Sequence, residues 1–136
     1  LIILGEMLHD VGKLGTENQA DLENIQKFGD YVHKHGLDHS TAGGRLALEL
    51  IKAWPVAEYV STLVFDHHGL NDCISLETGQ SLQERRLKKE IEYDNIKDKF
   101  FQIYDREILE KWSELATQSY RMIFDKINVF VKKCNL

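Results

Sequence analysis

Six residues in this chain could do chemistry together: His9, Asp10, Lys13, His39, His67 and His68. The first three lie in "LGEMLHDVGKLG", a run from Leu4 to Gly15 that is otherwise apolar and helix-like. Burying an acid beside an imidazole is costly unless something pairs with them. On a helix His9 and Asp10 stand about 100° apart, so an ion or ion pair can lie over the arc between them. Lys13 is four residues from His9 and three from Asp10, which puts it on their side of the helix. A cation beside metal ligands repels a metal, so Lys13 suits a phosphate or the aspartate itself better. "DHS" at 38–40 and "HHG" at 67–69 add three more histidines. Imidazole nitrogens with a carboxylate form a donor set for first-row transition metals rather than for calcium.

The ordered set "HDVGK", "DHSTAG" and "HHG" resembles the HD superfamily of metal-dependent phosphohydrolases. With Phe28 and Tyr31 between the first two motifs, it is most similar to the HD nuclease domain of type I CRISPR systems. That domain is the nuclease half of the effector helicase-nuclease. The resemblance spans residues 1–75 and continues only as helix. It implies that His9 and Asp10 are the metal-binding pair that names the superfamily, with Asp10 bridging two ions. His39 would be a further ligand, and His67 and His68 would help hold the second ion. Lys13 would sit near the substrate phosphate, making Asp10 and Lys13 the catalytic pair. Ser40 and Gly43 would serve local structure.

The implied activity is hydrolysis of phosphodiesters in single-stranded DNA during CRISPR interference. Up to two divalent ions (Mn, Fe, Co, Ni or Mg), about 3.5–4 Å apart, would activate a water and steady the leaving oxygen. The implied partners are single-stranded DNA, a helicase domain in the same or another chain and a CRISPR surveillance complex, all cytoplasmic, with no membrane. The family pattern has another ligand histidine upstream and a late aspartate in an "ADR"-like segment. Neither occurs between Leu1 and Leu136, and Asp125 in "IFDKI" does not match. Residues 1–136 are therefore expected to be a single HD nuclease domain given as a fragment, with one metal site incomplete. Two alternatives share these residues: an HD phosphohydrolase acting on nucleotides or small phosphate esters, and a degenerate HD module kept for protein contacts.

The elements that must position these residues read as helices. The first is expected over 1–12, followed by a short helix around "ADLENIQKFGDYV". Asp38 is a plausible N-cap for a helix running to Trp54, with Ala42, Leu46, Leu50 and Ala53 at helical spacing. Pro55 suits the first turn of "PVAEYVSTLVFDHH", which Gly69 would end. "GLNDCISLETGQ" reads as a loop, and Ser81 to Glu84 as a capping box opening "SLQERRLKKEIE". Asp94 or Asp105 would cap the helical sequence beyond it. The last helix carries Leu109, Trp112, Ala116, Tyr120, Ile123, Ile127, Phe130 and Cys134 in one apolar stripe. The fold expected is all-α, a compact helical bundle of the HD type.

Bulk properties narrow the rest. The chain has 136 residues, 43% hydrophobic and 29% charged, enough for one domain with a core. A net charge of −5 offers no broad basic field for nucleic acid, so binding must rest on a local site or on ions. Cys73 and Cys134 form no CxxC pair or disulfide framework. No apolar run approaches the ~18 residues of a membrane span, and "LIILGEMLHD" lacks the features of a signal peptide. His33 and His35 in "VHKHG" read as an exposed loop, and "RRLKK" at 85–89 as a solvated helix face rather than a DNA contact. Trp54 and Trp112 read as core, and Cys73 as incidental.

Overall fold

Leu4 and Leu8 are spaced one helical turn apart and both are buried in α1 (Ile2–Leu8). The computed structural model describes residues 1–28, 38–68 and 74–133. The helix ends short of residue 12 because the chain tightens into a 3-10 turn at Val11–Leu14. The Gly12 amide donates to the carbonyl of His39 at 3.0 Å. In a continuous helix that amide would be spent on Leu8. A β-carbon on Gly12 would lie 2.2 Å from the His39 oxygen, so this approach requires glycine.

α2 (Thr16–Phe28) starts earlier than its sequence pattern suggests. α3 (Ser40–Leu50) has His39, not the expected Asp38, at its N-cap; Asp38 stands one residue earlier and accepts from the Thr41 amide at 3.0 Å and the Thr41 hydroxyl at 2.8 Å, so it still holds the first turn. It stops at Leu50, not Trp54. α4 (Trp54–Phe65) opens with Pro55 in its first turn. Gly43 lets α3 press onto the end of α1: a β-carbon there would lie 1.8 Å from the Leu8 oxygen. The neighbouring Gly44 meets the Phe65 ring at the end of α4 in the same way, at 2.0 Å. Leu46, Ala47, Val60 and Val64 fill the space where α3 and α4 pack.

α5 (Leu82–Leu87) is opened by the expected capping box between Ser81 and Glu84. α6 (Tyr93–Ile103) buries Ile96 and Phe100; Asp94 lies in its first turn and does not cap it. α7 (Arg106–Lys133) is capped by Asp105, which accepts from the Glu107 amide at 2.7 Å. Only Leu109, Ser113 and Ala116 of α7 are buried, and Ser113 donates to the Leu50 carbonyl at 3.1 Å. Residues 121–130 are all exposed.

The fold is all-α: among the described residues there is no strand, only an isolated bridge between Ile74 and Ser81. No described helix is long and apolar enough to cross a membrane. Trp112 packs partly against the core, whereas Trp54 is 62% exposed, contrary to expectation. With α3 ending at Leu50, Trp54 begins the next helix and no longer continues the α3 stripe. Tyr31, His33, His35, Gly69, Cys73 and Cys134 lie outside the described residues.

Candidate metal centre

His9 and His67 each sit just past a helix C-terminus and use the same local device. Each ring donates Nδ1–H to the carbonyl three residues back, Glu6 for His9 and Val64 for His67, both at 2.7 Å. Helix ends leave such carbonyls without amide partners. The bond assigns the ring proton to Nδ1 and leaves the Nε2 lone pair as the metal-binding atom. For His67 that Nε2 is buried and has no hydrogen-bond partner among the described residues.

Asp10 stands between the two helix ends. Its Oδ1 lies 3.5 Å from His39 Nε2 and 3.9 Å from His67 Nε2. Its Oδ2 lies 3.2 Å from His9 Nε2 and accepts from Lys13 Nζ at 2.6 Å. His39 Nε2 and His68 Nε2 are 2.5 Å apart. The rings of His67 and His68 pack at 3.9 Å between centroids.

One donor atom from each of Asp10, His39, His67 and His68 lies within 4.8 Å of all the others. Metal–nitrogen bonds of about 2.0–2.1 Å put opposite ligands roughly 4 Å apart across one ion. The donor set and the orphaned His67 nitrogen therefore fit a divalent metal, and these four residues can hold one. His9 is not in that group of four. Its ring meets His67 edge-on at 5.1 Å and its Nε2 faces the other oxygen of Asp10. Lys13 is brought in as a partner of the carboxylate.

The site's electrostatics favour the ligand forms. Burial pushes the Asp10 carboxyl up, but the Lys13 hydrogen bond and the neighbouring His9, Lys13 and His39 side chains outweigh it and hold the group below its ordinary value. His68 is held below the ordinary imidazole value by lost solvation, then by His67 and His39, against the pull of Asp10.

The basic run at 85–89 is not a plain solvated face. Arg86 donates to Asp38 at 3.0 Å and to the Phe65 carbonyl at 3.2 Å, and the Lys89 ammonium also meets Asp38. A signal was there: Arg86 lies four positions after Leu82, the buried residue of α5, and so shares its inward side.

No protein-family model, no curated protein and no solved structure matches the chain.

Proposed function

We propose that this chain is an HD-type phosphodiesterase that hydrolyses single-stranded DNA with divalent transition metal ions. The observation that carries the reading is the convergence of Asp10, His39, His67 and His68 from three separate segments onto one small polar site. Within it Asp10 and those histidines would hold the ion, and His9 Nε2, facing the second oxygen of Asp10, would be the ligand available to another. A bound ion of this kind supplies an acidified water and a polarised phosphoryl oxygen.

The remaining work belongs to the chain's own groups. Asp10 stays ionised and orients its two oxygens toward different histidines. His67 is locked by Val64, so its ring does not need to reorganise on binding. Lys13 keeps 44% of its side chain exposed, and its ammonium has donors to spare for a phosphate oxygen. Asp10 is 36% exposed. An edge as open as this favours a flexible strand laid across the site over a small ester enclosed in a pocket. The resemblance to the HD nuclease domain carries with it a helicase domain and a CRISPR surveillance complex as partners in the cytoplasm, and DNA tracking would fall to them, since the chain's own net charge is negative.

The test is a side-by-side digestion of labelled single strand, duplex and a nucleotide panel with manganese, cobalt or nickel, using Asp10→Ala as control. Cleavage of the single strand, with duplex and nucleotides spared, supports the proposal. Nucleotide hydrolysis without DNA cleavage moves the protein to the small-ester class. Bound metal with no hydrolysis of any substrate favours a module kept for protein contacts.

A further inference from the structure

The histidines of the cluster come from two segments that leave regular helix close to the ligands. His39 immediately precedes α3, and His67 and His68 come just after α4. A single side chain touches both segments. Arg86 Nη1 donates to Asp38, the neighbour of His39, at 3.0 Å. Arg86 Nη2 donates to the carbonyl of Phe65, two residues before His67, at 3.2 Å. The Arg86 side chain is only 18% exposed. A guanidinium is a rigid planar fork, so two contacts made by its two ends hold the acceptors at a set separation. The Phe65 carbonyl is also one of the oxygens that a helix end leaves without an amide.

We propose that Arg86 is a positioning residue of the metal centre: it sets the spacing of His39 against His67 and His68, and through it the affinity and coordination of the bound ion. This rests on the metal reading of the cluster. The competing account is that Asp38 needs only a positive charge nearby. Lys89 offers a way to separate the two, because its ammonium also meets Asp38. Arg86→Lys keeps the charge, but a single ammonium is a point donor without the fork that spans two acceptors.

The experiment titrates wild type, Arg86→Lys and Lys89→Ala with Co(II). Calorimetry and the visible absorption of the bound ion are recorded, beside thermal unfolding in a chelator. The expected result is a loss of affinity of about 10–100-fold in Arg86→Lys, the range found when groups that orient metal ligands are altered, with a changed absorption band. Lys89→Ala should stay near wild type in both. Wild-type affinity and spectrum in Arg86→Lys would overturn the proposal, as would an equal loss in Lys89→Ala. If Arg86→Lys does not fold, Asp38→Asn tests the link from its other end: weaker binding supports it, unchanged binding overturns it. A wild-type protein that binds no Co(II) would remove the metal reading itself, a result distinct from the others.

Discussion

The junction of α1, α3 and α4 and the distal half of α7 are both apolar helical sequence, yet they end in opposite environments. The junction is broken by glycines and polar residues, and there the backbone facing Gly12 and Gly43 and the Phe65 ring facing Gly44 approach closely enough to leave no room for a β-carbon. The distal half of α7 carries the cleanest stripe in the chain, and Ile123, Ile127 and Phe130 on it are about half exposed or more. Periodicity reports that a face is apolar, not that a partner covers it. The interruptions in the apolar runs are what mark where helices touch and where the Asp10, His39, His67 and His68 cluster is held.

The sharpest way to break this contrast is to fill one of the crossings. Gly43→Ala would drive a methyl group into the Leu8 carbonyl, whose backbone cannot move without moving His9 and Asp10. A loss of about 3 kcal/mol is expected in urea unfolding, at the upper end for overpacking. A cost below about 0.5 kcal/mol, the size of ordinary surface changes, would show that the helices can separate freely.

Next in size is the response to metal. An ion that binds only the folded chain stabilises it by about 2.7 kcal/mol at a hundredfold excess over its dissociation constant. That gain should appear in the thermal unfolding of wild type with Co(II) or Mn(II) and vanish in Asp10→Ala. An equal gain in both would place the ions elsewhere, with His33 and His35 the first residues to mutate.

A smaller effect is expected with pH. The imidazole of His68 is held below its ordinary value of about 6.5 in the folded chain. Its contribution to stability is therefore present above that value and lost as pH falls through the lowered one. Metal-free protein should melt slightly earlier as pH drops from neutral, and the Co(II) affinity should fall over the same span as protons compete for the ring. His68→Gln should flatten the metal-free slope; a slope unchanged by that substitution would mean other groups carry it.

The smallest change is expected on α7. Ile127→Gln and Phe130→Gln should each alter stability by no more than about 0.5 kcal/mol, since these side chains touch little of the body. A cost of several kcal/mol in urea unfolding would mean that this face is covered in solution.

Much of the fold is legible in the chain. Asp38, Ser81 with Glu84, Pro55 and Asp105 mark helix starts through their own side chains or backbone angles, which are local properties. The clustering of Asp10 with His39, His67 and His68 is implied by motif order. Gly43 reads as a local turn residue, but its constraint comes from Leu8, on another helix. Arg86 is hidden for the same reason: Asp38 lies 48 positions away, and nothing within the basic run shows which of its charges will turn inward. Trp54 misleads because the apolar stripe continues in sequence across Ile51–Ala53, where the helix has already ended.

Lys13 gives the Asp10 carboxylate a counter-ion before any metal arrives. On the proposed metal reading, an ion held on the Oδ2 side would be exchanged for this ammonium rather than added, and its affinity would be lowered by whatever the ammonium contact contributes. The exchange would raise the charge there by one unit and leave the Lys13 ammonium free to carry its own charge outward. An incoming anion would then meet two separate positive centres where the metal-free protein has one neutral pair. Metal uptake and anion attraction would thereby be joined in a single event, and Lys13→Met should take up its ion more tightly while attracting the anion less.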